Sequence, residues 1–157
     1  MKILKRTFVI LLIIIFALPI ISYVGIVITN NAIADKTEKD LVAYQLPANT
    51  EFVDSISIAG KLTGSGNGMQ YMGALLVTSE LSEEELKDYY CLNFDYIKVR
   101  KQENAKIDFI HPNNYSFNGF SETDGKSYYS ITCWDDDRRE KFGEFVSELL
   151  DFDIRGH

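Results

Sequence analysis

The chain has 157 residues, of which 46% are hydrophobic and 25% are charged, and its formal net charge at pH 7 is −7. From Asp35 onward it carries all 23 acidic residues but only 13 of the 16 basic ones, so this part has a net charge of −10. Such a charge repels nucleic acid and anionic lipid headgroups, so a nucleic-acid partner is not expected. The simplest role of the acidic charge is to keep the domain soluble.

A membrane-spanning segment is predicted at the N-terminus. Lys2, Lys5 and Arg6 precede an uncharged apolar run of 22 residues at positions 7–28. At about 1.5 Å per residue, that run crosses a hydrocarbon core of about 30 Å. It is longer than the apolar core of a signal peptide, usually about 7–15 residues, so we expect a retained single-pass anchor. Cationic flanks stay in the cytoplasm, so we expect the N-terminus on the cytoplasmic side of the cell membrane and the domain on the outer side.

The N-terminal segment has two alternative interpretations. Ala32-Ile33-Ala34 has the small-x-small pattern of a signal-peptidase site, and cleavage between Ala34 and Asp35 would release a secreted protein. A buried core helix of a soluble protein is disfavoured, because no polar residue occurs at positions 8–21.

The composition divides the chain into three segments. Residues 1–28 are expected to be the basic flank and the membrane-spanning segment. Residues 29–48 are expected to be a polar stalk or linker, into which the membrane helix can continue for a turn or two. Residues 49–157 are expected to form one extracytoplasmic α+β domain, which is long enough to bury a core.

The domain begins with a predicted β-hairpin. Apolar residues recur at even positions after Thr50, a period of two that indicates a half-buried strand. The match is imperfect, because Asp54 lies on the apolar side and Val53 on the polar side. A glycine-rich loop at 63–68 separates this strand from a second alternating run at 69–77.

The clearest local signal is a helix start. Ser82 can cap the first free N–H groups of a helix, and Glu85 can reach back to the Ser82 backbone. Leu81 and Leu86 occupy the positions of a hydrophobic staple. The pattern predicts a helix at 83–90.

Four further strands are predicted before the last helix. They lie at 94–101, 105–110, 115–121 and 127–134. Asp124-Gly125 lies between the last two and is a preferred pair for a tight hairpin turn, so these two strands are expected to pair.

A final amphipathic helix is predicted near the C-terminus. Asp135, Asp136 and Asp137 open it and complement its dipole, whereas a calcium site is disfavoured because three consecutive carboxylates project in different directions. Gly143 is expected to be a weak point in its interior. Its apolar stripe consists of Phe142, Phe145, Val146, Leu149 and Leu150.

The predicted element order after the membrane helix is β-β-α-β-β-β-β-α. Short connections favour antiparallel neighbours. The expected fold class is therefore α+β: an N-terminal transmembrane helix, then one domain with an antiparallel sheet and two helices packed on one face.

The glycine-rich loop is the leading candidate for a binding site. Successive N–H groups in such a loop can hold an anion, and nearby Tyr71 adds an aromatic surface. Phosphate loops, however, join a strand to a helix, whereas this loop joins two strands, so the simpler interpretation is a flexible hairpin tip. The candidate ligand- or partner-binding residues are Gly64, Ser65, Gly66, Asn67, Gly68 and Tyr71.

The other chemistry-bearing residues match no motif. For Cys91 and Cys133, a disulfide and two free thiols are open alternatives in an oxidising exterior. His111 and His157 fit no metal-binding spacing. We therefore expect no catalytic residue, no metal site and no cofactor.

Three functional hypotheses follow. The leading one is a non-enzymatic interaction module, tethered to the membrane through residues 7–28. It would contact another membrane or cell-surface protein through the open face of its sheet and the loop at 63–68. The second is an anchored or secreted domain that binds a cell-wall sugar or a small anion at the glycine-rich loop. A carboxylate-dependent hydrolase ranks last, because no pair stands out among the 23 acidic residues.

Overall fold

The fold was obtained as a computed structural model, which describes residues 2–63, 68–107, 110, 115–135 and 143–155. The α+β fold class is confirmed, since a long apolar helix is followed by an antiparallel sheet and further helices. The elements are α1 (Lys2–Ala43), β1 (Thr50–Gly60), β2 (Gln70–Ser79), α2 (Glu83–Cys91), β3 (Ile97–Gln102), β4 (Tyr128–Asp135) and α3 (Glu144–Leu150).

The sheet has the strand order β1-β2-β4-β3, and each neighbouring pair is antiparallel. In the central strand β2, Met72 pairs with Ile58 of β1, and Leu75 pairs with Ile131 of β4. Almost every residue of β2 is buried, so this strand is covered on both faces. The open sheet face that was expected as a contact surface is therefore not found on β2.

The first helix runs well past the apolar segment. A polar stalk or linker was expected at 29–48, but α1 continues to Ala43. The helix persists because this part packs on the domain, where Ala34 is 1% exposed and Leu41 is fully buried. Buried residues recur every three or four positions along one side of α1, at Ile26, Asn30, Ile33, Thr37 and Leu41.

One face of the sheet is covered by α1 and α2. The helix α1 comes so close to β2 that a Cβ atom added to Gly73 would lie 2.6 Å from the backbone N and Cα of Glu38. Glycine is therefore required there for close approach. The helix-side core consists of Leu41, Leu75, Val77, Leu86, Tyr90, Val99, Tyr129, Ile131 and Cys133.

The opposite face is covered by the long connection between β3 and β4. Strands were predicted at 105–110 and 115–121, but the described parts of these segments form a single bridge between Lys106 and Ser116. Strand β4 pairs with β2 and β3 rather than with 115–121. The apolar residues of the connection instead build a loop-side core of Ile58, Leu62, Met72, Ala74, Leu76, Ile107, Ile110, Phe117 and Tyr128.

A β-bulge explains the imperfect alternation in β1. The pairing of β1 with β2 shifts register between Phe52 and Asp54. The shift turns Val53 toward the loop-side core, and Asp54 Oδ2 accepts a hydrogen bond of 2.6 Å from the backbone N of Asn118. Val53 and Asp54, which interrupt the alternation in the sequence, therefore lie at the bulge, where the side chains of β1 switch from one face of the sheet to the other.

The predicted start of α2 is confirmed. Ser82 Oγ accepts a hydrogen bond of 3.2 Å from the backbone N of Glu85, and Glu85 Oε2 accepts one of 2.8 Å from the backbone N of Ser82. Leu86 is fully buried and fixes the helix on the sheet. The helix extends to Cys91, one residue beyond the predicted end.

The last helix differs from its prediction in extent and in orientation. Gly143 precedes α3 with a φ of 75°, so it is the N-terminal cap rather than an interior weakness. Of the described residues in the predicted apolar stripe, Leu150 is buried, whereas Phe145 is 78% exposed. Asp136, Asp137 and Phe142 lie outside the described residues.

Candidate functional site

A buried polar cluster joins α1, β2 and the C-terminal segment. Asn30 and Asp153 are both fully buried. Asn30 Oδ1 accepts a hydrogen bond of 2.6 Å from the hydroxyl of Tyr71. Asn30 Nδ2 donates to Asp153 Oδ2 at 2.9 Å and to the carbonyl oxygen of Leu150 at 3.1 Å. We call Asn30, Tyr71, Asp153 and Arg155 the C-terminal clamp.

Arg155 completes the clamp. Its Nε donates to Asp153 Oδ1 at 2.9 Å, and its Nη2 lies 2.6 Å from Asp153 Oδ2. Its Nη1 donates to Asn31 Oδ1 of α1 at 2.7 Å. Burial raises the pKa of the Asp153 carboxyl, but hydrogen bonds from Arg155 and Asn30 outweigh it, so this pKa lies below its ordinary value. Asp153 is therefore held as a buried, paired carboxylate.

Apolar packing surrounds the clamp. The α1–α3 core consists of Ile26, Ile33, Ala34, Met69, Tyr71 and Leu150. This core brings together residues that are distant in sequence. Ile33 and Ala34 are among them, and both lie on the N-terminal side of the candidate cleavage site between Ala34 and Asp35. The clamp and the α1–α3 core together fix α1 to the domain.

The glycine-rich loop is partly outside the described structure. Gly64, Ser65, Gly66 and Asn67 lie outside the described residues. Gly68 lies against Asp151, since an added Cβ would come within 2.5 Å of both carboxylate oxygens. The backbone N of Met69 donates to Asp151 Oδ1 at 2.6 Å. The end of the loop is thus attached to the C-terminus of α3.

Tyr71 does not line a surface site. It was predicted as a ligand- or partner-contacting residue, but it is 1% exposed and donates its hydroxyl to Asn30. The alternation in β2 turns it toward α1 rather than toward solvent. Its role is in the clamp.

A polar cleft of about 670 Å³ opens at the other end of the sheet. Tyr71, near the start of β2, contacts Asn30, and Leu75, halfway along the strand, lies in the same core as Leu41. Ser79, at the end of β2, is therefore far from the clamp. We call this opening the distal cleft. It is lined by Asn49, Thr50, Glu51, Thr78, Ser79, Glu80, Gly125, Lys126 and Ser127.

The distal cleft offers hydroxyl groups and charges of both signs. Thr50 Oγ1 and Ser79 Oγ lie 2.7 Å apart. Lys126 Nζ lies 2.9 Å from Glu51 Oε2, and this hydrogen bond lowers the pKa of Glu51 and raises that of Lys126. Both side chains are more than half exposed, so the pair is available to a solute or a partner at the cleft rim.

A smaller cleft of about 290 Å³ lies beside α1. Lys36 and Asp40 form an ion pair on its α1 side. Phe94 and Trp134 contribute aromatic surface on its other side. This cleft has the mixed polarity of an ordinary surface groove.

The described His, Cys, Asp and Glu residues do not converge on a metal-binding site. Within them, no group of three His, Cys, Asp or Glu residues is arranged to hold a metal ion. Cys91 is exposed and Cys133 is buried, and no disulfide joins them in this structure. His111 and His157 lie outside the described residues.

The clamp was not anticipated from the sequence. Asn30 stands two residues beyond a strongly apolar run, and Asp153 and Arg155 stand in a short tail after an apolar stripe. A polar side chain at the end of a predicted membrane helix is the signal that could have pointed to Asn30. No spacing in the sequence pairs it with residues 123 positions away.

Comparison with known proteins identifies no relative. No family model, curated protein or solved structure matches the chain significantly. The structural features that bear on function are the long apolar helix, the clamp and the distal cleft.

Proposed function

We propose that the chain is a single-pass membrane protein, retained by α1, with its domain outside the cell membrane. The domain acts as a non-enzymatic interaction module that is held at a fixed height by its own anchor. By length and composition, α1 is apolar enough from Arg6 onward to cross a membrane, with a mean hydropathy of 2.9 in its most apolar window. A signal sequence passes the same test, so a second observation is needed.

The observation that carries the proposal is the buried side of α1. Cleavage between Ala34 and Asp35 would remove four buried residues, Ile26, Asn30, Ile33 and Ala34. It would leave the Tyr71 hydroxyl and the Asp153 carboxylate without their partner Asn30. Unpaired buried polar groups cost about 1–3 kcal/mol each, so the domain is built to keep α1.

The orientation rests on the basic flank. Lys2, Lys5 and Arg6 precede the apolar run, and such flanks stay in the cytoplasm. Cys91 is exposed, so a membrane-impermeant maleimide should label it on intact cells, and Cys91→Ser should abolish the labelling. Cys133 is 7% exposed and should stay unlabelled in the folded protein. Labelling of Cys91 only after permeabilisation would contradict the orientation.

The distal cleft is the contact surface that we propose for a partner, another membrane or cell-surface protein. Strand β2 is covered on both faces, which removes the sheet face first considered. The cleft lies at the end of the domain that points away from the anchor, and its polar lining suits a reversible, partly hydrated contact.

Photo-crosslinking in cells tests this contact. A crosslinking residue at Lys126, on the cleft rim, should capture a protein that the same residue at Lys87, on the exposed side of α2, does not capture. Recovery of uncrosslinked chain alone from both positions would count against the module.

The size of the distal cleft supports a second candidate, a small-ligand domain for a sugar or an anion. Its volume of about 670 Å³ is comparable with ligand pockets, which hold about 300–1,000 Å³. A ligand that binds only the folded state raises the melting temperature. A panel of cell-wall sugars and anions that leaves the melting temperature unchanged would remove this candidate.

A further inference from the structure

The segment formed by α3 and the residues after it exposes an apolar surface. Phe145 is 78% exposed, and Phe152 and Ile154 are each 68% exposed. Val146 and Leu149 are less exposed, at 38% and 41%. We call these five residues the apolar patch. So many exposed large apolar side chains within ten residues are typical of an interaction surface.

The patch is held beside the last turns of the apolar run. Leu150 packs in the same core as Ile26, and its carbonyl oxygen accepts a hydrogen bond of 3.1 Å from Asn30 Nδ2. Arg155 Nη2 donates to the carbonyl oxygen of Val27 at 3.5 Å. The segment that carries the patch is therefore attached to α1 through Leu150 and Arg155, at positions between Ile26 and Asn31.

This attachment fixes the height of the patch relative to a bilayer. A helix from Thr7 to Ile26 is about 30 Å long at about 1.5 Å per residue, which equals the thickness of the hydrocarbon core. The turn from Ile26 to Asn30 then lies where hydrocarbon gives way to headgroups. We propose that the apolar patch inserts into the external leaflet of the membrane that α1 crosses. This inference rests on the proposed function, since it requires α1 to be a retained anchor.

Charge and composition favour zwitterionic lipid as the occupant. The patch is interleaved with the acidic residues Glu144 and Glu148, and the domain as a whole is strongly acidic, so anionic headgroups gain nothing by electrostatics. Its driving force is apolar burial, as for helices that lie in the membrane interface. Arg155 reaches the carbonyl oxygen of Val27 in α1, and long cationic side chains are common where the hydrocarbon core ends.

The test uses the full chain in phosphatidylcholine vesicles whose acyl chains are brominated close to the headgroup. Bromine quenches tryptophan fluorescence only at short range. Phe152→Trp places a reporter in the patch, and Phe52→Trp is the matched control in β1 at the distal end, where Phe52 is 48% exposed. Trp134 is the sole native tryptophan, and its signal is subtracted by measuring the unsubstituted chain in parallel.

We expect the brominated lipid to quench the added emission of the Phe152→Trp chain at least twofold more than that of the Phe52→Trp chain, at low and high salt alike. Equal quenching of the two variants, in chains that float with the vesicles, would overturn the patch proposal and leave the anchor intact. A blue-shifted but unquenched signal would also overturn it, because protein would then cover the patch. Chains that do not float with the vesicles would contradict the retained anchor itself.

Discussion

At the residue scale, the hydroxyls of two fully buried tyrosines, Tyr71 and Tyr90, have opposite effects on stability. Tyr71 donates its hydroxyl to Asn30 at 2.6 Å, whereas the buried hydroxyl of Tyr90 has no hydrogen-bond partner among the described residues. Burial accordingly raises the pKa of Tyr90 to about 12. The Tyr71 hydroxyl thus stabilises the folded chain, whereas the unpaired Tyr90 hydroxyl lowers its stability.

Replacing each tyrosine by phenylalanine separates these roles. Tyr90→Phe should leave the free energy of unfolding unchanged or raise it by up to about 1 kcal/mol, because it removes an unpaired buried hydroxyl. Tyr71→Phe should lower it by about 1–3 kcal/mol, because Asn30 Oδ1 loses its donor. Chemical denaturation of the full chain in detergent measures both. Equal destabilisation by the two substitutions would show that the Tyr90 hydroxyl is satisfied.

The C-terminal clamp should make stability depend on acid pH. Because the pKa of Asp153 is lower in the folded than in the unfolded chain, its contribution is present above the unfolded value, near pH 4. It is lost as the pH falls through the folded value. Asp153→Asn should therefore lower stability by about 1–3 kcal/mol at neutral pH and reduce the loss on acidification.

A carboxylate of the same segment provides the control for this prediction. Glu144 is exposed at the start of α3, so Glu144→Gln should leave both the neutral-pH stability and the acid dependence close to those of the parent chain. Unfolding curves at neutral pH and below pH 4 provide the comparison. An Asp153→Asn chain with the full acid dependence of the parent would contradict the assignment.

At the scale of the elements, the contact of α1 with β2 depends on a missing side chain. A Cβ added to Gly73 would meet the Glu38 backbone at 2.6 Å, whereas one added to Gly25 would meet nothing within 4 Å. Gly73→Ala should therefore cost about 1–3 kcal/mol by overpacking, and Gly25→Ala should cost nothing. Thermal unfolding in detergent compares the two. A Gly73→Ala chain as stable as the Gly25→Ala chain would mean that α1 does not lie against β2.

The start of α2 supplies an independent prediction. Ser82→Ala removes the acceptor of the Glu85 N–H and should lower stability by about 1 kcal/mol. Ser116→Ala, at an exposed position of the connection before β4, is the control for losing a hydroxyl. Denaturation midpoints measure both changes, and equal effects would argue against the cap.

Elements that rest on local rules could be predicted from sequence, and those that rest on distant contacts could not. The capping box at Ser82 is a local pattern, and the irregularity at Val53 and Asp54 already marked the bulge. The segment around Ile107 alternates like a strand, yet its apolar residues serve to cover a sheet face. Likewise, the stripe around Phe145 has helical spacing but does not face the core, because periodicity gives no direction.

At the scale of the whole molecule, α1 and the domain form one folded unit. A sequence-based division separates an apolar span from a soluble domain because hydropathy changes near residue 29. The packing continues across that boundary, because Ile26 before it and Asn30 after it both contact the segment that contains Leu150. In the proposed function, this packing would hold the distal cleft at a fixed distance from the membrane, which a flexible stalk would not do.

The mass of the intact protein, isolated from the membrane fraction and from the medium, tests this account most directly. The account predicts a membrane-bound species whose mass includes α1, close to the 17.9 kDa of the full chain, and none in the medium. A stable, folded species that begins at Asp35 and is recovered from the medium would contradict it, because the clamp would then be dispensable.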